Sequence, residues 1–596
     1  MARFAIGIDL GTTHTALASA PLAGDEAATR VFEIPQLVAR GALEARVLLP
    51  SCVYFGHESE GALALPWDAS RRFAVGEYAR VRSAEAAGRV VASAKSWLCH
   101  PTVDRRAPLL PLGAAEDVEK ISPVEASFRY LDHLVEAFRA QGLGELGEED
   151  IVITVPASFD AGARDLTVEA AMAAGLDNVT LLEEPQAALY AWIENAGDSF
   201  RAHLRPGDLV LVIDLGGGTS DFSLIAAEER DGALQLSRVA VGDHILLGGD
   251  NMDLALAHTV RVKLQSAGHE LDRFQVAALS YACRSAKEQL LSNPSLDSVP
   301  VVVAGRGSQL LGSSLRSELS SSEVEALLVD GFFPRVERNA TPAARARTAL
   351  TQLGLPYAAD PAITKHLAQF LRRHEAASGE RSLHPTAILF NGGVVKAPAI
   401  RARLVETLNS WLAEAGAAPA RVLPGEDPDL AVARGAAYYG RVRRGRGVRI
   451  RGGTARSYYV GIESPMPAVP GMEPPVSALC VAPFGMEEGS EASLPPQELG
   501  VVVGEPVTFR FFGSSVRRND QAGTMLDYWQ PGELDELAPI EVTLPSEGRN
   551  VGDFVPIRLE AQVTAIGTLR LDARPLAPLT PDERWKVELS VRRTQS

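Results

Sequence analysis

Residues 6–13 read IGIDLGTT, and residues 212–219 read VIDLGGGT. Each stretch follows an aliphatic run, passes an aspartate and then turns at glycine and threonine. A second apolar run follows each turn, at residues 16–20 and 222–226, so each stretch predicts a β-hairpin. Glycine lets the backbone approach a ligand closely and present its N–H groups to phosphate oxygens. Either turn alone would usually be an ordinary tight turn, whereas the pair predicts a phosphate site.

The aspartates of the two turns, Asp9 and Asp214, indicate what else the site holds. A carboxylate repels phosphate, but it can hold a hydrated Mg²⁺ that contacts the phosphate oxygens. Two hairpin tips that face each other would therefore clamp a metal-bound nucleoside triphosphate between two lobes.

Length and composition are those of an ordinary globular protein. The chain has 596 residues, enough for two or more domains, with 46% hydrophobic and 22% charged residues. The net charge of −17 argues against broad electrostatic binding to nucleic acid or to an anionic membrane.

The cysteine spacing and the lengths of the apolar runs indicate which class of protein this is and where in the cell we expect it. The four cysteines (Cys52, Cys99, Cys283 and Cys480) have no CxxC spacing, so neither a zinc site nor a disulfide framework is indicated. The N-terminus enters a predicted strand at once, and no apolar run approaches the roughly 20 residues that span a bilayer. We therefore expect a cytoplasmic protein.

The chain divides into two regimes. Up to about residue 440, predicted strands alternate with helical patterns, which is typical of an α/β architecture. The predicted strands lie at residues 151–155, 209–213 and 387–390, and the predicted helices at residues 161–174, 185–195 and 320–374. The last of these is long and polar on one side, and we interpret it as a peripheral subdomain.

The second regime begins after an arginine- and glycine-rich segment, residues 441–456, which carries no helical pattern and which we interpret as a linker. Because the whole chain is acidic, we interpret its arginines as part of a solvated linker rather than as a nucleic-acid contact. Alternation such as that of Val555, Ile557 and Leu559 then predicts an antiparallel β-sandwich over residues 457–596. No helical pattern follows.

Six sequence blocks resemble those of the seventy-kilodalton heat-shock proteins, the DnaK-type chaperones. They are IDLGTT at 8–13, ITVPA at 153–157, EPQAA at 184–188, DLGGGTSD at 214–221, NGG at 391–393 and DLAVARGAA at 429–437. Their order and approximate spacing match the nucleotide-binding domain of that family, with a longer gap before the fifth. The resemblance implies a two-lobed, actin-like ATPase domain over residues 1–440 that binds ATP or ADP with Mg²⁺ and K⁺. It also implies that residues 457–596 form a substrate- or partner-binding domain, which we expect to lack the helical lid of the family.

The resemblance also implies roles for individual residues around the triphosphate. Asp9, Asp214 and Asp221 would surround Mg²⁺, mostly through water. Lys95 would stabilise the transferred phosphoryl group, Glu184 would orient the attacking water, and Pro156 would relay nucleotide state between the lobes. The phosphate loops would consist of Gly11, Thr12 and Thr13 in the first hairpin and of Gly216, Gly217, Gly218 and Thr219 in the second, with Thr219 also catalytic.

On the nucleoside side, the resemblance implies Lys287, Gly392, Gly393 and Asp429 as binding residues. The chain departs from the family nearby: Val394, Val395 and Lys396 replace a serine and an arginine, and Glu288 replaces another arginine. Because each hydrogen bond to a charged group is worth about 1.5–3 kcal/mol, we expect weaker ATP binding than in the main family members.

Alternatives stay open at this stage. Lys95 could be a solvated helix lysine, and Glu183 and Glu184 could be a solvated pair at a helix N-terminus. The leading function is an ATP-hydrolysing chaperone that binds unfolded or extended polypeptide and works with J-domain and nucleotide-exchange co-chaperones. The second is a nucleotide-gated adaptor for one dedicated partner protein. A sugar kinase or an actin-like filament protein is the third, although no catalytic aspartate base for a sugar is assignable.

Overall fold

The structure is a computed structural model, and it describes most of the chain. The described ranges are 2–23, 28–83, 85–100, 102–114, 116–230, 233–304, 314–344, 354–377, 384–425, 427–444, 450–451, 454, 456–464, 474–486, 490–492, 494–495, 499–514, 516–517, 519–530, 532–537, 539–546, 548–564, 568–580 and 583–590.

The first lobe is built on a mixed six-stranded sheet. The first hairpin joins Phe4–Leu10 to His14–Pro21 in antiparallel register, with Asp9 opposite Ala16. Phe4–Leu10 pairs on its other side with the parallel strand Asp150–Val155, which pairs in turn with the parallel strand Val179–Glu183. The short strands Arg30–Val31 and Leu49–Pro50 complete the sheet. The apolar face of this sheet is covered by the helices Pro123–Ala140 and Ala161–Ala173.

The second lobe repeats this arrangement. The second hairpin joins Leu209–Leu215 to Ser220–Arg230, with Asp214 directly opposite Asp221. Its sheet runs in the order Arg421–Val422, Ala387–Asn391, Leu209–Leu215, Ser220–Arg230, Ala233–Val241 and Ile450–Arg451. The helices packed against it include Gly249–Ser266, Arg273–Ser292, Ile363–Ala377 and Pro398–Glu414.

Two helices lie between the lobes. Glu184–Ala196 and Ala431–Arg443 pack against each other, and residues of both sheets join them in one core cluster. The contact is close because glycines stand where the backbones meet: a β-carbon on Gly435 would lie 1.7 Å from the carbonyl oxygen of Ala187. Both hairpins are therefore anchored to a shared helical base.

Smaller elements decorate the two lobes. They are the strands Ile34–Ala39, Ala42–Arg46, Cys52–Phe55, Phe73–Val75, Val90–Ala92, Ser298–Ala304 and Ser314–Ser320, and the helices Glu77–Arg82, Ala94–Trp97, Phe200–His203 and Ser321–Val324. Among the described helices, none is long and apolar enough to cross a membrane.

The prediction of one helical stretch over residues 320–374 is wrong. The structure has a short helix, Ser321–Val324, a π-helical turn, Glu325–Asp330, and then no helix over the described residues 333–344 and 354–362 that precede Ile363–Ala377. Pro334 and Pro342 account for the break, because proline lacks the N–H that continues a helix. Residues 345–353 of this stretch lie outside the described residues.

The expectation that residues 441–456 carry no helix is also wrong in part. The helix Ala431–Arg443 continues into the segment, and the side chain of Arg443 donates to the Oγ1 of Thr180 at 2.6 Å. Arg444 forms an ion pair with Asp150 at 3.2 Å. Further on, Ile450–Arg451 joins the second sheet as an edge strand. Residues 445–449, 452, 453 and 455 lie outside the described residues.

The C-terminal region is β-rich, as predicted. One sheet contains Met525–Leu526, Val476–Ala482, Ser457–Glu463, Phe511–Ser514 and Asp535–Glu536, and the other contains Glu491–Ala492, Leu499–Val502, Phe554–Val563, Thr568–Pro575 and Trp585–Ser590. The strands Pro506–Phe509 and Ile540–Thr543 pair separately. Apolar side chains of both five-stranded sheets, such as Leu479 and Leu571, share one core cluster. All pairings between these described strands are antiparallel.

Candidate functional site

A cavity of about 1000 Å³ lies between the two lobes, at the tips of the two hairpins. It is lined by Asp9, Gly11, Thr12, Thr13, Lys95, Glu184, Asp214, Gly216, Gly217, Thr219, Lys287, Gly392, Gly393 and Asp429, among others. Of the residues predicted from sequence for the site, Gly218 and Asp221 are not among those that line it. The arrangement thus brings together side chains that are far apart in the sequence.

The two hairpin tips are in direct contact. A β-carbon on Gly217 would lie 2.0 Å from the Oγ1 of Thr13, and one on Gly218 would lie 2.7 Å from the Cγ2 of Thr12. Only glycine allows this approach, since real β-carbons do not come so close to other atoms. The buried hydroxyl of Thr13 has no hydrogen-bond partner among the described residues, so it is available to a ligand.

The second tip is held by the helix that follows it. The backbone N–H of Gly249 donates to the carbonyl of Gly216 at 3.1 Å, and that of Asp250 donates to the carbonyl of Gly217 at 2.7 Å. Both donors belong to the first turn of Gly249–Ser266, where backbone N–H groups lack partners within the helix. The loop is therefore fixed in place before any ligand binds.

Lys95 and Glu184 form an ion pair beside the first tip, and their side chains are only 9% and 13% exposed. This burial excludes the solvated alternatives for both residues. Lys95 follows Ser93, whose φ of 54° is the left-handed conformation that non-glycine residues rarely adopt. The turn at Ser93 starts the short helix Ala94–Trp97, which carries Lys95 to the cavity.

The carboxyl groups of Asp9 and Asp214 are buried among other negative groups. Burial raises the pKa of Asp9 to about 7, a shift that Lys95 opposes and Glu184 reinforces. Burial also raises the pKa of Asp214 well above its ordinary range, again with a contribution from Glu184. The hydroxyl of Thr154 donates to Asp9 at 3.1 Å, and the side-chain amide of Asn391 donates to Asp214 at 2.8 Å. A bound cation would offset this buried negative charge.

The residues present fit Mg²⁺ and a triphosphate. The carboxylates of Asp9, Asp214 and Glu184 line the cavity and interact electrostatically with the Lys95 ammonium, and carboxylate oxygens are the ligands that Mg²⁺ prefers. The glycines of the two tips leave a cradle that a side chain would fill, next to the unpartnered hydroxyl of Thr13.

Asp221 is turned away from the cavity. Its Oδ1 accepts from the hydroxyl of Ser158 at 2.8 Å and lies 3.3 Å from the Nδ1 of His244. Burial raises the pKa of Asp221, but the charge of His244 and these hydrogen bonds outweigh it and hold the pKa below its ordinary value. In this arrangement Asp221 links Ser158 of the first lobe to His244 of the second.

The nucleoside side of the cavity carries the predicted departures. Gly392 adopts a φ of 84°, and a β-carbon there would lie 2.3 Å from the carbonyl oxygen of Leu215, so only glycine fits. Lys396 forms ion pairs with Asp429 and, at 2.8 Å, with Asp427. Its ammonium is therefore tied to carboxylates and replaces the arginine only in part.

Lys287 is likewise held by a carboxylate. Its ammonium lies 2.6 Å from Asp253, which also accepts from Arg284 at 2.7 Å, and Arg284 forms a further ion pair with Asp250. Arg284, Asp250 and Asp253 line the cavity, although sequence reasoning did not select them. The signal was available, because Arg284 lies three residues before Lys287 and thus on the same helix face.

His14 is a fourth lining residue that sequence reasoning did not select. It is the first residue of His14–Pro21, directly after the threonines of the first tip. Burial lowers its pKa to about 4, a shift that the charge of Asp429 opposes. A histidine next to a phosphate loop is the signal that could have found it.

Comparison with known proteins agrees with this geometry. Residues 5–345 match the family model described as "Hsp70 protein". The chain is 34% identical to "Chaperone protein HscA homolog" of Methylococcus capsulatus over 48% of this chain and 42% of the relative. It is 30% identical to the protein of that name from Variovorax paradoxus, over 54% of this chain and 46% of the relative. It is 31% identical to "Chaperone protein HscA" of Pectobacterium atrosepticum, over 51% and 44%.

The chain thus spans less than half the length of these curated relatives. The family match, in contrast, covers more than half of the chain and includes the first hairpin, Lys95, Glu184 and the second hairpin. The chain therefore belongs to the Hsp70 protein family.

Proposed function

We propose that this protein binds and hydrolyses ATP with Mg²⁺ and couples nucleotide state to the binding of polypeptide by its C-terminal β region. The observation that carries the proposal is the contact of Gly217 with Thr13, beside the buried Lys95–Glu184 pair. Such an arrangement offers backbone donors, an ammonium and carboxylates around one point, as phosphoryl transfer requires. The nucleotide-binding domain would comprise residues 1–440.

The residues of the cavity would divide the work of hydrolysis. The Lys95 ammonium would stabilise charge on the transferred phosphoryl group, and the Glu184 carboxylate would accept a hydrogen bond from the attacking water. Asp9 and Asp214 would hold Mg²⁺ mostly through water, and the bound ion would neutralise charge on the phosphate oxygens. Thr13 and Thr219 would donate their hydroxyls to those oxygens. Asp221 would contribute only after its hydrogen bonds to Ser158 and His244 rearrange.

The nucleoside would lie between the glycine pair of the second lobe and the helix Arg273–Ser292. Lys287 would face the ribose, with Gly392, Gly393 and Asp429 around the adenosine. Because Lys396 is held by Asp427 and Asp429, we expect weaker binding of the base than in relatives that carry an arginine there. K⁺ is a further candidate ligand of the phosphate region.

The β region, residues 457–596, would take unfolded or extended polypeptide, and residues 441–456 would connect it to the ATPase domain. Two observations support communication between the regions. Ile450–Arg451 pairs with Ala233–Val241 of the second sheet, and the arginines at the end of Ala431–Arg443 contact Asp150 of the first sheet. The relatives are named chaperones, which favours J-domain and nucleotide-exchange proteins as co-chaperones.

The test is the steady-state ATPase rate of the full chain, measured alone and with several chemically different unfolded polypeptides. Acceleration by most of them would support a chaperone. Acceleration by one folded partner alone would favour the nucleotide-gated adaptor, and no hydrolysis in any condition would refute both.

A further inference from the structure

Within the described part of the chain, buried charged side chains link the two lobes behind the cavity. Glu183 of the first lobe contacts two arginines, Arg164 at 3.1 Å and Arg238, and the side chains are 2%, 1% and 5% exposed. Arg164 belongs to Ala161–Ala173 of the first lobe, whereas Arg238 belongs to Ala233–Val241 of the second. The ion pair of Glu183 with Arg238 therefore crosses from one lobe to the other.

Glu183 is joined directly to the cavity through the chain. It is the last residue of Val179–Glu183, and Glu184 is the first residue of the helix that follows. The Glu183 side chain does not cap this helix but turns to the arginines, while Glu184 turns to Lys95 and the cavity. The two neighbouring carboxylates thus point to different partners, and they share the backbone that joins Val179–Glu183 to the helix.

Because burying these charges costs free energy, the carboxylate and the guanidinium groups must be placed closely and in the right direction. A buried carboxylate is tolerated only where its partners are well placed, because the lost hydration is large. Arginine suits this role since its planar guanidinium fixes both the distance and the direction of a carboxylate. A small shift of the second lobe would move Arg238 relative to Glu183 and weaken the ion pair that crosses between the lobes.

We infer that Arg238 is a positioning residue for Glu184: it holds Glu183 across the lobe interface and so aligns Glu184 with the phosphate loop of the second lobe. The inference rests on the proposed ATP hydrolysis, and it goes beyond it by naming a residue that contacts no substrate. The alignment exists only while the lobes keep this relative position. Arg238 therefore makes the orientation of Glu184 depend on lobe closure.

The test compares Arg238→Met and Arg238→Lys with the wild-type full chain, using single-turnover hydrolysis and calorimetric ATP affinity. Methionine keeps an unbranched apolar stem but removes the charge and the guanidinium, and lysine restores the charge without the planar fork. We expect Arg238→Met to lower the hydrolysis rate between about 10-fold and 100-fold, as for a misplaced catalytic group. ATP affinity should stay within about threefold, and Arg238→Lys should recover part of the rate.

Arg335→Met is the matched control, because Arg335 pairs with Glu406 in the same lobe but on the surface, where both side chains are more than half exposed. It should hydrolyse ATP like the wild type. An unchanged rate in Arg238→Met, or an equal loss of rate and affinity, would overturn the positioning role while leaving the proposed function intact. Wild-type protein without hydrolysis would overturn both. Should Arg238→Met not fold, Arg238→Lys decides by the same split between rate and affinity.

Discussion

Gly217 lies against Thr13, so that a β-carbon on the glycine would fall 2.0 Å from the threonine Oγ1. This contact joins the tips of two hairpins that are about two hundred residues apart in the sequence and belong to different lobes. The shared cavity at this contact is what makes a clamp for a triphosphate possible.

Gly217→Ala tests the contact itself. The added methyl group would force the tips apart, and we expect ATP affinity to fall between about fivefold and 150-fold, since overpacking costs about 1–3 kcal/mol. Calorimetric titration measures this affinity. Gly425→Ala is the control, because a β-carbon there would have no atom within 4 Å. Equal affinity in both variants would argue against a closed pair of tips.

Lys95→Met tests the proposed role of the ammonium. Removing one preorganised electrostatic donor lowers kcat by a factor of about 10²–10³, and we expect that loss here. Lys263→Met, which removes a half-buried lysine paired with Glu323, should leave the rate unchanged. Turnover of Lys95→Met near the wild-type value would remove Lys95 from the site.

Gly435→Ala tests the helical base that both lobes share. Alanine is favoured over glycine within a helix by about 1 kcal/mol, but here its β-carbon would collide with the carbonyl of Ala187. We expect the steric cost of this collision to exceed the gain in helix propensity, so the thermal midpoint of unfolding should fall. Gly331→Ala, whose β-carbon has no neighbour closer than 3.9 Å, should not lower the midpoint. Stabilisation by Gly435→Ala would contradict the observed packing.

His133 predicts a pH dependence of stability. It is buried in the first lobe, where its Nε2 lies 2.9 Å from the carbonyl oxygen of Pro35, and burial lowers its pKa to about 4. The neutral form is thus favoured by folding, so stability is complete above about pH 6.5 and declines as the pH falls towards 4. The decline is about 1.4 kcal/mol per pH unit, or about 3 kcal/mol in total.

His133→Gln removes this titration. Between pH 7 and pH 5, the thermal midpoint of this variant should fall by about 4 °C less than that of the wild type. His269→Gln, which changes an exposed histidine, should follow the wild type. Identical pH profiles for all three proteins would show that His133 is not held neutral.

Local patterns were sufficient to predict the two hairpins and the β-rich C-terminal region. Period-two alternation and glycine turns are local properties, and strands such as Leu209–Leu215 and Phe554–Val563 lie where they were expected. The helical prediction over residues 320–374 is wrong because the prolines at 334 and 342 cannot continue a helix, whatever the amphipathic pattern around them.

Contacts between side chains that are far apart in the sequence could not be predicted from local patterns. The contact of Glu183 with Arg238 joins residues that are 55 positions apart and depends on how the lobes meet. The burial of Lys95 and the pairing of Lys396 with Asp427 likewise follow from tertiary packing. Sequence could select Lys95 only through the resemblance to the family, since nothing nearby predicts that its side chain is buried.

The most direct measurement is calorimetric titration of the full chain with ATP, with and without Mg²⁺, alongside the same titrations of Asp9→Asn/Asp214→Asn. A clamp for a metal-bound triphosphate predicts that Mg²⁺ strengthens ATP binding to the wild type and that the double variant loses this dependence. If ATP does not bind, or binds equally well without Mg²⁺, the two hairpin tips do not hold a metal-bound triphosphate.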